Sequence, residues 1–340
     1  MGPVRGVPLV RRAPFTFAIA ISGLASLWIA GSPLSRVWAA PEAHSEAAGE
    51  AFVTNQTGDS LSIVDLGARK QVAEIAIGGK PAGVAMAPDG LFAYVTAPEG
   101  KELVVVDAKA QSVVRRVKVG EGPLGVAVHP DGRRVYVADW YEHKLYAVDT
   151  AAGEVADSVE VGQSPSGVAV TPDGKTILTA DRDSDEVSLI DAATFERKAG
   201  VKVGKRPFGV TIDAAGRRAY TANVKSDDVS VIDIERGETV GTVKVGSRPY
   251  AVALSAGRGY VTDQYGGTVT VFDLATLEVE KTIDVGEFPE GIEADPEGAA
   301  VYVACWEADT LERIDTETLE VTDRVSVGSG PRAFGRFLRR

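Results

Sequence analysis

Residues 119–137 read Val119-Gly-Glu-Gly-Pro123-Leu-Gly-Val-Ala-Val128-His-Pro-Asp131-Gly-Arg-Arg-Val135-Tyr-Val137. Two Val-rich runs flank a Pro-Asp-Gly, whose proline presets one φ and whose glycine accepts a positive one, so the stretch predicts a β-hairpin. The pattern returns along the chain. A proline preceded by Val/Ile-Gly-x-x stands at Pro81, Pro123, Pro165, Pro207, Pro249, Pro289 and Pro331, at intervals of 42, 42, 42, 42, 40 and 42 residues. A fixed period of this size, filled with short apolar segments and Gly/Pro/Asp turns, predicts a β-propeller in which each repeat is one four-stranded blade.

Blade two shows the unit. Strand A holds Gly125-Val-Ala-Val128, strand B Val135-Tyr-Val137, strand C Leu145-Tyr-Ala-Val148, and strand D the run from Val155 to Val161. Blade five replaces the Pro-Asp-Gly turn by Ser255-Ala256-Gly257, two residues shorter, which explains the single interval of 40. The first repeat-like segment, Phe52-Val-Thr-Asn55, aligns with strand B, whereas the last, Pro331-Arg-Ala-Phe-Gly335, aligns with strand A. Neither end is a whole blade. The expected fold is therefore all-β, a seven-bladed propeller with four antiparallel strands per blade, closed by N-terminal strands B–D plus a C-terminal strand A, so that the ring has no open edge.

The first 39 residues differ in kind. Arg11 and Arg12 precede an apolar run from Phe15 to Gly31, and Val37-Trp38-Ala39 carries small residues at cleavage positions, so 1–39 reads as a signal peptide. The paired arginines leave open a twin-arginine or a general secretory route. Residues 40–50 are an Ala/Glu/Ser-rich linker and 51–340 the propeller. The whole chain carries −12; without Arg5, Arg11, Arg12 and Arg36 it keeps 32 basic and 48 acidic residues, or −16. That surface disfavours double-stranded nucleic acid. A single cysteine excludes an internal disulfide, and no Cys-x-x-Cys-His is present for covalent haem. The expected location is periplasmic or secreted, with no membrane span after cleavage, no cofactor or metal, and a monomeric state.

In a repeat protein, a residue type that recurs in every blade serves the blade, and departures from the repeat mark use. Asp65, Asp107, Asp149, Asp191, Asp233, Asp273 and Asp315 end strand C in all seven repeats, which predicts turn capping. Strand B ends in Asn55, Asp139, Asp181, Asn223 and Asp263, but in Cys305 in blade six, expected as a shielded thiol. Blade six also places Glu293 and Arg313 at positions that are small or apolar elsewhere, and a mutual ion pair is expected of them. Asp181-x-Asp183-x-Asp185 opens like a calcium loop but has Glu186 where glycine is needed and Ala192 where the final acid belongs.

The strings Phe52-Val-Thr-Asn55, Tyr94-Val-Thr-Ala97, Tyr220-Thr-Ala-Asn223 and Tyr260-Val-Thr-Asp263 resemble the YVTN β-propeller repeat of exported bacterial YncE-like proteins and archaeal surface-layer proteins. The likeness covers residues 51–337 and implies a periplasmic or surface propeller that acts as a binding or interaction module. Relatives of the fold include lactonases and quinoprotein-associated subunits. The D–A and B–C loops share one end of every blade, so their variable residues surround one mouth of the channel. There Arg206, Phe208, Arg248, Tyr250, Phe288, Glu290, Arg332, Trp140, Trp306 and Asp181 are the candidate ligand-binding residues, suited to a small anionic or aromatic ligand or a periplasmic protein. The alternatives are a lactonase-like hydrolase using Glu290, His143 or Asp181, and docking to a periplasmic quinoprotein or redox system. No catalytic residue is assigned.

Overall fold

A computed structural model describes residues 49–339, together with Gly2; the rest of the expected signal peptide and nearly all of the expected linker lie outside the described residues. Seven sheets form the propeller. Six are built on four consecutive strands, blade two for example on Pro123–Val128, Arg134–Asp139, Lys144–Asp149 and Glu154–Glu160, and blade one adds Phe334–Arg336 as a fifth. The seventh joins the two ends of the chain, in the order Leu338–Arg339, Glu50–Asn55, Ser60–Asp65, Lys70–Ala76. Among the described residues no helix is long and apolar enough to cross a membrane.

The Pro-Asp-Gly turns behave as their residues require: Gly90, Gly132 and Gly174 take φ of 68°, 73° and 73°. The strand-C aspartates cap the C–D turns in all seven blades, each accepting from an amide two or three residues on. Strand B supplies the core. Tyr136, Tyr220 and Tyr260 are buried between blades, and the threonine of the repeat stitches one blade to the next. Thr54, Thr96 and Thr262 donate to the carbonyls of Ala82, Leu124 and Glu290 at 2.8, 2.6 and 2.8 Å, each the residue after the next blade's proline. Blade three has Ala180 at that place. Ser166 takes over, donating to the Phe208 carbonyl at 2.9 Å. The innermost strands converge so closely that a Cβ on Gly125 would lie 1.8 Å from the Ser166 carbonyl oxygen, which is why strand A carries glycine there.

Ring closure has one irregularity. Asn55 bridges Pro331, and Ala51 pairs with Leu338, so the C-terminal segment advances seven residues against four. The other innermost strands carry one extra residue, as between Pro165↔Asp181 and Val168↔Thr179. The excess forms a bulge whose Phe334–Arg336 runs parallel to Gly83–Met86 of blade one. Glu293 fastens it, its Oε2 accepting from the amides of Phe337 and Leu338 at 2.5 and 2.7 Å while Oε1 lies 3.6 Å from Arg336. The expected Glu293–Arg313 pair is thus corrected. Arg313 instead donates to Thr322 at 2.7 Å and approaches Asp315 at 3.5 Å, and Tyr302 stands between the two positions in the sheet.

Candidate functional site at the channel mouth

Each D–A loop is tied to the B–C loop of its own blade through backbone bonds such as Trp140 N to Gly122 O, Val224 N to Arg206 O and Trp306 N to Phe288 O. The residue before the ring proline is left-handed at Lys80, Ser164, Arg206, Arg248 and Phe288, with φ between 52° and 58°. A side chain from the preceding B–C loop satisfies its amide in most blades: Asp59 for Lys80, Asp185 for Arg206, Asp227 for Arg248 and Asp309 for Gly330, at 2.8–2.9 Å. His143 fills this role in blade two. Its Nδ1 accepts from Ser164 N at 3.1 Å.

The residues after the prolines form a second ring, Ala82, Leu124, Ser166, Phe208, Tyr250, Glu290 and Arg332. Those of blades one, two, four and five pack into one buried cluster with Phe334. Phe208 packs on Tyr250 and Phe334 with ring centroids 4.4 and 5.0 Å apart, and Trp140 adds a further ring at 6.3 Å. Arg332 Nε lies 2.8 Å from Glu290, Arg332 Nη2 donates to the Tyr250 hydroxyl at 2.5 Å, and Gln264 donates to the other Glu290 oxygen at 2.7 Å. Burial pushes the Tyr250 phenol up. Burial alone would lower Arg332, but the Glu290 carboxylate and Tyr250 outweigh it and hold the guanidinium charged. Of the sequence-predicted site, Phe208, Tyr250, Glu290 and Arg332 are therefore a self-satisfied plug.

Asp181 lies inside the wall. Fully buried, it accepts from Gly162 N at 3.0 Å, Thr179 at 2.8 Å and Ser188, and burial raises its carboxyl to about 6 despite these bonds. Asp263 repeats the arrangement in blade five with Thr268 and Thr270 and is likewise raised to about 6 by burial. Asp139 instead holds the amides of Glu121, Gly122, Tyr141 and Glu142. In blade six the carboxylate has moved one strand over. Cys305 is buried, its thiol pushed up by burial and by Glu312, and Glu312 pairs with Arg324 at 2.9 Å. Glu312 was not singled out in the sequence, although Ser62, Ser188, Ser230 and Thr270 fill its position elsewhere.

Arg206, Arg248, Phe288 and Trp306 remain on the mouth face, in two arcs, while Trp140 packs against the plug with Arg182 over its ring at 5.3 Å. The aromatic arc spans blades five and six, where Tyr265 meets Phe288 at 5.3 Å, Phe288 meets Trp306 at 6.5 Å, and Arg248 lies over Tyr265 at 4.4 Å. The cationic arc is a cleft of about 300 Å³ between blades three and four, lined by Arg182, Asp183, Asp185, Lys205, Arg206 and Lys225. Lys205 and Lys225 give no sequence signal, because single loop lysines carry no pattern. Asp183 pairs with Arg182 at 2.9 Å and Asp185 with Lys205 at 2.7 Å. The three carboxylates of the calcium-like string thus point to different partners. The hydrolase candidates are similarly spent, Glu290 on Arg332, His143 on an amide and Asp181 within the wall.

Sevenfold antiparallel blades joined through both ends of the chain define a closed-ring propeller. The model of the YncE-like β-propeller family matches residues 9–336, and the chain belongs to that family. Among solved structures it is similar to a hydrazine synthase of Kuenenia stuttgartiensis, at 22% identity and TM-score 0.69, over 75% of this chain and 89% of that one. It is also similar to a functionally unknown protein from Desulfotomaculum acetoxidans DSM 771, at 15% identity and TM-score 0.72, over 84% of this chain and all of that one. At these identities the likeness is one of fold. No curated protein matches the sequence.

Proposed function

We propose that this chain is an exported binding module that takes a small anionic or aromatic ligand, or a periplasmic protein presenting such groups, on the mouth face of blades three to six. One observation carries the reading: the repeat is broken at the surface there, by Arg182, Lys205, Arg206 and Lys225 on one arc and Arg248, Tyr265, Phe288 and Trp306 on the next. Guanidinium groups beside exposed aromatic faces suit planar or anionic ligands. The basic start, apolar run and cleavage-like string of residues 1–39 support export. Thermal-shift measurements with anionic and aromatic compounds test the proposal, because a ligand that binds only the folded ring raises its melting temperature. The rise is expected to fall when Arg206→Ala is combined with Arg248→Ala, or Tyr265→Ala with Trp306→Ala. Shifts unchanged in both pairs, or no shift with any compound, would overturn it.

A further inference from the structure

We infer that the cleft between blades three and four binds a phosphate-type dianion, as the free ion or as the head of a small monoester; this rests on the mouth reading above and names its ligand chemistry.

The sevenfold repeat supplies an internal control. At the two positions before the ring proline the other blades carry Gly79-Lys80, Glu121-Gly122, Gln163-Ser164, Ser247-Arg248, Glu287-Phe288 and Ser329-Gly330; only blade four has two cations, Lys205-Arg206. At the Lys225 position the others have Thr57, Glu99, Tyr141, Asp183, Tyr265 and Glu307. At the Arg182 position none of the other six is charged. The scaffold is built six times without this cluster, so folding does not require it. Bringing four cations to one space of about 300 Å³ costs repulsion that a bound anion relieves.

The two carboxylates position the cations and neutralise only two of them. Asp185 accepts the Arg206 amide at 2.9 Å and holds Lys205, and these partners keep its carboxyl below the usual range although burial opposes them. Asp183 orients Arg182 and lies 3.9 Å from Arg206. Lys225 has no ion pair among the described residues, and its amide is fixed on Lys205 O at 3.0 Å. Four cations against two carboxylates leave a charge of +2, which matches a dianion. Two guanidinium forks and two ammonium groups suit tetrahedral oxygens. The volume fits a small molecule.

Isothermal titration calorimetry on the full chain with inorganic phosphate, glycerol phosphate and malonate tests this. Saturable binding of both phosphates is expected, weaker with malonate and weakened by salt. Arg206→Gln with Lys225→Gln should raise the Kd about tenfold or more, while Lys80→Gln, at the Arg206 position of another junction, leaves it unchanged. Each variant's melting curve confirms folding. No saturable phosphate heat in the wild type, an unchanged Kd in the double variant, or malonate binding as tightly as phosphate would each overturn the inference. No saturable phosphate heat, together with a screened compound whose shift is lost with Tyr265→Ala and Trp306→Ala, would sink the cleft while leaving the mouth reading in place.

Discussion

Arg332 Nε lies 2.8 Å from the Glu290 carboxylate across the junction of blades six and seven, and both side chains are withdrawn from solvent. The pair comes from the same position of two repeats, and Tyr250, one blade earlier, completes it. Such an arrangement is asymmetric in its energetics. Removing one partner strands a buried charge, whereas removing both leaves apolar side chains beside the Tyr250 ring, over which Arg332 lies at 5.7 Å. Arg332→Met should destabilise the chain by about 3–5 kcal/mol in urea unfolding, and Glu290→Leu with Arg332→Met should recover most of that loss. A single variant as stable as the wild type would show that the plug carries no structural weight.

The ring is latched from blade six. Glu293 Oε2 accepts from two buried amides of the closing bulge, and without it Phe337 N and Leu338 N lose that acceptor. Glu293→Ala is expected to cost about 2–5 kcal/mol, and Glu293→Gln less, because the amide oxygen still accepts. Amide hydrogen exchange at Phe337 and Leu338 should quicken before that of the blade cores. Deleting residues 328–340 exposes the edge of Glu50–Asn55 and should give an open, aggregating chain. A cooperative melt unchanged by that deletion would refute closure by these segments.

The ring was legible because seven copies of one packing problem leave seven copies of its solution; the prolines, the strand-C aspartates and the split closing blade all follow from register alone. The site was less so. Phe208, Tyr250, Glu290 and Arg332 stand beside loop residues in the sequence, and nothing local tells that strand A, lying nearest the axis, turns them inward. Glu293 and Arg313 were matched as the two anomalies of one blade, but Tyr302 separates them in the sheet, and the better acceptor position lay in the C-terminal bulge. A two-residue excess in that strand could not be read from a repeat that ends within it. Lys205 and Lys225 are ordinary singly and become a cluster only when the D–A and B–C loops are brought side by side.

Asp181 and Asp263 make stability depend on pH in a direction opposite to most paired carboxylates. Both are buried, burial raises each from 3.8 to about 6, and hydroxyl and amide donors only partly offset it. Between these values the folded chain binds more protons than the unfolded one, so stability is greatest below about pH 4, falls as pH rises toward 6, and is level above. Asparagine already serves the same position as Asn55 and Asn223, whose amides bond Ser60 and Ser62, and Asp228 and Ser230. Asp181→Asn and Asp263→Asn should therefore gain stability over the wild type as pH rises from 4 to 7, on the order of 1–3 kcal/mol per site. Turn aspartates such as Asp173 and Asp191, held near 2 by their partners, act in the reverse sense at lower pH. They are common to both chains and cancel in the difference. Urea unfolding at pH 4.5 and 7.5 reads that difference directly; a gap that stayed constant with pH would mean that the two carboxyls titrate alike in the folded and unfolded chain.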